Sequence, residues 1–150
     1  MKESFKLWQN YQLFLEQPDF DPQSANFVDY ANQNRDFILE KNQPSGTTAV
    51  VIPAFNEQRR IARTLAGVNQ ALQHFDQPIQ LIVVDNASSD QTAEISQYFG
   101  ATVVKEQKKG VGAARQTGLY SLDHNTQSVL TTDSDTVVAP FWITNHSQAL

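Results

Sequence analysis

From Thr47 onward the sequence alternates between two periodicities, and this alternation narrows the possible folds more than any other feature. Thr48 to Ile52 (TAVVI), Gln80 to Val84 (QLIVV), Ala101 to Val104 (ATVV) and Ser128 to Thr132 (SVLTT) are short runs rich in β-branched residues. Such runs read as strands buried in a sheet. Between the first two, Ile61, Leu65, Val68, Leu72 and Phe75 recur at intervals of three and four, the mark of one apolar helix face. Ala93, Ile95 and Tyr98 suggest a second helix, and Ala113 to Leu122 a third. The order β-α-β-α-β-α-β predicts an α/β fold with a parallel sheet, because parallel neighbours need a crossover connection. Local signals set the expected boundaries. Pro53 should end the first strand, Asn56 should cap the helix after it, and Asp90 should cap the next. Pro140 should open a final helical segment.

Residues 1–46 have a different character, rich in Gln, Asn and aromatics. Phe5, Trp8, Tyr11 and Leu15 recur at helical spacing, and Phe27, Tyr30, Phe37 and Ile38 suggest a second helix before the turn Asn42 to Gly46. This predicts a helical N-terminal extension over 1–46, packed on the outside of a domain over 47–150.

Bulk properties exclude several classes. A length of 150 residues suits one domain with a sizeable core. A formal net charge of -5 argues against a general nucleic-acid-binding protein, which would need a broadly basic face. The chain has no cysteine, which removes disulfides, thiolate metal sites and thiol nucleophiles. The reading MKESFKLWQNYQLFLEQ has no sustained apolar stretch typical of a signal peptide, and no segment has the length of a membrane span. A cytoplasmic location follows as the expectation, with at most a peripheral association at the inner face of the membrane.

Ligands of open parallel sheets bind beyond the carboxyl ends of the strands. Four segments fall there: Pro53 to Glu57, Asp85 to Asp90, Lys108 to Arg115 and Asp133 to Asp135. In Asp133-Ser134-Asp135 the acidic residues are two apart, so on an extended backbone both face one way. They can converge on one hard cation, Mn²⁺ or Mg²⁺, or on a cation and a sugar hydroxyl. A solvated turn is the competing reading. Asp85 can accept hydrogen bonds from a base or a ribose, or simply shape a turn. Gly110 and Gly112 lie where a loop enters a helix, a place that attracts anions, and Arg115 can bind a phosphate oxygen. The Gly spacing matches neither a Walker A loop nor G-x-G-x-x-G. Lys108 and Lys109 read as solvated loop charges. His74, His124 and His146 have no metal-ligand spacing.

In chain order the segments VVIPAFNE (Val50 to Glu57), VVDNASSDQT (Val83 to Thr92), KGVGAARQTG (Lys109 to Gly118) and TTDSD (Thr131 to Asp135) resemble family 2 glycosyltransferases of the GT-A fold. The resemblance spans about Thr47 to Trp142. It implies a nucleotide-sugar-binding, Rossmann-like half domain whose donor is a nucleotide-diphospho-sugar, usually UDP-linked, held with Mn²⁺ or Mg²⁺. By the same resemblance, Pro53, Ala54, Phe55 and Glu57 line the nucleotide pocket, with Ala54 and Phe55 near the base and Glu57 on the ribose side. Asp85 holds the base and Arg115 approaches the diphosphate or the base-side loop. Asp133 meets the ribose or the metal, Ser134 sits between, and Asp135 binds the metal. The acceptor half, including the general base of inverting members, is expected beyond Leu150, and the acceptor is not indicated. Asn86-Ala87, Gln116 and Thr136 depart from the commonest family pattern. Two other classes compete: a non-catalytic nucleotide-binding or interaction module of the same fold, and a nucleotidyltransferase. The four-motif series favours the glycosyltransferase over the latter.

Overall fold

The computed structural model describes residues 27–148. The helix expected around Phe5 to Leu15 lies outside the described residues. The elements are α1 (Phe27–Lys41), β1 (Thr48–Ala54), α2 (Ile61–Leu72), β2 (Ile79–Asp85), α3 (Thr92–Tyr98), β3 (Thr102–Lys105), α4 (Val111–Tyr120), β4 (Ser128–Thr131) and α5 (Trp142–Gln148). All four strands run parallel, in the order β3-β2-β1-β4. The α/β class with a parallel sheet is therefore as the sequence predicts.

The two central strands carry the core. Every residue of β1 and of β2 is buried, which explains why both read as unbroken apolar runs rather than alternating ones. On one face Val50, Ile52, Leu81 and Val83 pack with Ala31 and Ile38 of α1, with Ile61, Leu65, Val68 and Leu72 of α2, with Ile95 of α3 and with Ile143 of α5. The other face is covered more thinly: Val51, Ile82 and Val84 meet Ala114 of α4. Gly118 permits that packing, because a Cβ there would lie 2.5 Å from Val51 Cγ1 and 3.0 Å from Val84 Cγ2. Within residues 1–46, α1 contributes wholly buried Ala31 and Ile38 to the larger core. Asn42, just after α1, receives the Leu81 N–H on Oδ1 at 2.8 Å, which ties it to β2.

Three local expectations are corrected. Pro53 does not end β1, which continues through Ala54 with Pro53 opposite Val84. Ala54 O accepts from Asn86 N, on the β2 side, whereas Thr47 O accepts from Gln127 and Ser128 on the β4 side. Alternate residues of a parallel strand bond to opposite neighbours, so Pro53 faces β4. The β1–β4 pairing has already stopped at Val51↔Thr131, and the missing N–H of Pro53 breaks no ladder bond. Asn56 does not cap α2. That helix starts at Ile61 behind Arg60 with no side-chain cap, and Asn56 bonds instead to the loop after β2. Asp90 is not the cap of α3 either: the N-cap is Gln91, with no side-chain cap, and Asp90 one residue earlier accepts the Thr92 N–H on Oδ1 at 2.9 Å.

Candidate functional site

The sheet order places a topological switch beside β1. The chain moves outward from β1 to β2 and β3, then returns to lay β4 on the other side of β1. Crevices form at such points, outside the carboxyl ends of the strands. Here a cavity of about 370 Å³ is lined by Pro53, Ala54, Phe55 and Glu57 after β1, by Asn86 after β2, by Val111 at the start of α4, and by Asp133, Ser134 and Asp135 after β4. Seven of the residues singled out from the sequence thus share one hollow.

Its back wall is an interlocked pair of loops. Asn56 N donates to Ser88 Oγ at 2.9 Å, and Ser89 N returns a bond to Asn56 Oδ1 at 2.9 Å. Glu57 N donates to Thr92 Oγ1 at 2.9 Å, Gln58 N to Asp90 Oδ2 at 3.2 Å, and Gln91 N to Gln58 Oε1 at 3.1 Å. Asn56 (φ 49°) and Ala87 (φ 61°) both adopt the left-handed region. For alanine that conformation is costly and must be held by its surroundings. Beside this wall, Glu57 Oε2 lies 3.3 Å from Arg60 Nη1. Phe55 stands half exposed with Lys109 Nζ 5.7 Å from its ring centroid. Lys109 itself is exposed in its loop, as expected of a solvated charge.

The acidic triplet is a turn rather than extended backbone. β4 ends at Thr131, and Thr136 N donates to Asp133 O at 3.2 Å. Both acidic residues still line the cavity and are exposed, while Ser134 is buried and its carbonyl accepts the Thr64 hydroxyl of α2 at 2.7 Å. Arg115, on the second turn of α4, lies outside the cavity lining but reaches it by an ion pair, Nη2 to Asp133 Oδ1 at 3.7 Å. A Cβ at Gly110 or Gly112 would meet nothing within 4 Å, so the approach to the first turn of α4 is open. The N–H groups of that turn have no intrahelical acceptor and favour an anion.

Asp85 is placed differently from the other candidates. It is buried as the last residue of β2, opposite Ala54, and Oδ1 accepts the Ser88 N–H at 3.2 Å. Its neighbour Asn86 lines the cavity, and sequence reasoning passed it over as mere variation. Asn86 is buried and fully used: Nδ2 donates to Glu106 O (3.1 Å) and Lys108 O (2.8 Å), and Oδ1 accepts from Gly110 N (2.9 Å). It therefore sets the loop that aims α4. An amide directly after an apolar strand was the available signal. Further along that loop, hydrogen bonds from the Thr117 hydroxyl and the Lys108 N–H hold the Glu106 carboxyl below the usual glutamate range. The three histidines are dispersed: His74 packs on Phe141, His146 bonds Trp142 O, and His124 is solvated beside Asp123.

The donor set suits a hard divalent cation. Asp133 and Asp135 offer oxygen ligands on one cavity, and among the described residues no group of three or more His, Asp or Glu side chains is gathered. Mg²⁺-like ions are commonly held in this way, by one or two carboxylates with phosphate and water completing the shell. Among the described residues no helix is long and apolar enough to cross a membrane.

Comparison with known proteins agrees with this fold. The family model described as Glycosyl transferase family 2 matches residues 49–150. The 4,4'-diaponeurosporenoate glycosyltransferase of Staphylococcus haemolyticus is 35% identical over 79 residues, 49% of this chain and 20% of that protein. Among solved structures, S. aureus TarS 1-349 in complex with UDP superposes with a TM-score of 0.56 at 23% identity, over 68% of this chain and 31% of that one. The mannosyltransferase PcManGT of Pyrobaculum calidifontis, in complex with GDP-Man and Mn²⁺, gives a TM-score of 0.55 at 20% identity, over 96% of this chain and 38% of that one. The two structures share the fold, and the chain spans between a fifth and two-fifths of the length of these three proteins.

Proposed function

The chain belongs to glycosyl transferase family 2, and from that premise we propose that the cavity at the β1/β4 switch holds the nucleoside diphosphate of a sugar donor, a UDP-sugar, for glycosyl transfer by the whole protein. One observation carries the reading: the two carboxylates of the Asp133–Asp135 turn and the open N-terminus of α4 meet at one hollow walled by Pro53 to Glu57. An anionic diphosphate fits between a helix N-terminus and a cation-binding turn.

In this arrangement Ala54 and Phe55 flank the base and Glu57 faces the ribose. Asp85, buried behind the lining at the end of β2, acts on the base only through the Ser88 turn that its carboxylate holds. Arg115 and the first turn of α4 take phosphate oxygens. Asp135 holds Mn²⁺ or Mg²⁺, and Asp133 shares the ion or bonds the ribose. A divalent ion bound there supplies charge neutralisation to the departing nucleoside diphosphate. The rest of the chemistry allotted to these residues is binding and orientation: the interlocked loops fix the pocket wall before the donor arrives, which lowers the ordering cost of binding. We assign the protein to the cytoplasm, where nucleotide sugars are to hand.

Isothermal titration of the chain with UDP, GDP and CDP, with and without Mn²⁺, tests the proposal. UDP should bind in the presence of Mn²⁺, and Asp135→Ala should weaken that binding on the order of tenfold or more. A sample with a native circular dichroism spectrum that binds no nucleotide under any of these conditions would refute it and leave a non-catalytic module of the same fold.

A further inference from the structure

Arg115 is committed before any ligand arrives. Its Nη2 lies 3.7 Å from Asp133 Oδ1, while Asp135, in the same turn, is exposed to the cavity. The Arg115 and Asp133 side chains are 49% and 65% exposed. A pair so open to water is weak and readily exchanged. Resting on the site reading above, we propose that Arg115 is a built-in counter-ion for Asp133 that a nucleoside diphosphate draws off, so that cation and nucleotide each favour the other's binding.

The logic is an exchange of partners. A cation arriving alone must displace a guanidinium of like sign from one of its two protein carboxylates. A nucleotide arriving alone attracts Arg115 and leaves Asp133 unpaired beside incoming phosphates, a like-charge encounter. When both arrive, one loose Arg–Asp pair becomes an Arg–phosphate contact and a carboxylate–cation contact, and neither opposing charge is left over. With only two carboxylates in the turn, losing one to Arg115 halves the protein's share of the cation shell. Arg115 is in this sense a positioning residue, separate from its use as a phosphate ligand.

Free Mn²⁺ followed by electron paramagnetic resonance, on the whole chain, reads this directly. Without nucleotide, Arg115→Ala should bind Mn²⁺ about two- to fivefold more tightly than the parent. With saturating UDP the two should bind it alike, so the Mn²⁺–UDP coupling shrinks by the same factor. Lys105→Ala, which removes an exposed positive charge at the end of β3, should change neither value and so controls for net charge. If Arg115→Ala leaves nucleotide-free Mn²⁺ affinity equal or weaker, while UDP binding still needs Mn²⁺ and Asp135, the exchange is wrong and the site stands. If Mn²⁺ fails to bind with or without UDP, both fall.

Discussion

The loops after β1 and β2 are fastened to each other by hydrogen bonds from Asn56, Glu57, Gln58, Ser89 and Gln91. The opposite side of the same hollow, where α4 meets the turn after β4, is bridged among the described residues by one exposed ion pair, between Arg115 and Asp133. The first wall uses short-range bonds, all but the one to Asp90 between neutral groups, that hold a shape. The second uses charges that can change partners. A donor with a flat base and a mobile diphosphate calls for this division: a preformed surface for the rigid end, exchangeable charge for the anionic end.

The contrast can be broken first at Asn86, which spans both walls. Asn86→Ala removes three half-buried hydrogen bonds, to the Gly110 N–H and two carbonyls, and should cost about 1–3 kcal/mol of stability in urea unfolding. It should also weaken nucleotide binding, because α4 loses its aim. No loss of stability would mean that the β3–α4 loop is held by other means. Within the fixed wall, Ala87→Gly should raise stability by up to about 1 kcal/mol, because the left-handed backbone then carries no Cβ penalty. Destabilisation would show that the alanine methyl matters more than its strain.

The smallest effect is on pH dependence. The Glu106 carboxyl titrates below the usual range because Thr117 and the Lys108 N–H favour its charged form. A folded-state pKa below the unfolded one adds stability above the unfolded value, and that stability is lost as pH falls through the folded value. Thr117→Val should move the Glu106 titration, followed by NMR, back toward the ordinary glutamate value. The parent's stability advantage over this variant should be present at neutral pH and fade in acid, below the ordinary glutamate pKa. An advantage that persists undiminished in acid would assign it to packing of Thr117 instead.

Much of this was legible in the residues, and the failures have specific causes. The strands were found because their apolar runs are local. Pro53 was misread because a proline breaks a ladder only on the side where a partner exists, and the sequence does not say where β4 stops. Asn56 was read as a cap because its best partners, Ser88 and Ser89, lie more than thirty residues away. The acidic triplet does follow the end of β4, although its backbone turns where the sequence suggests an extended one.

The sequence by itself determined the alternation of strand and helix, the parallel sheet and the family, since these rest on periodicity and on short motifs in order. Only the tertiary structure decided that β4 returns to flank β1, that Asn86 rather than Asp85 faces the hollow, and that Arg115 already holds Asp133. Those outcomes depend on distances between residues far apart in the chain, which are set only when buried faces pack and the strand tips are brought level.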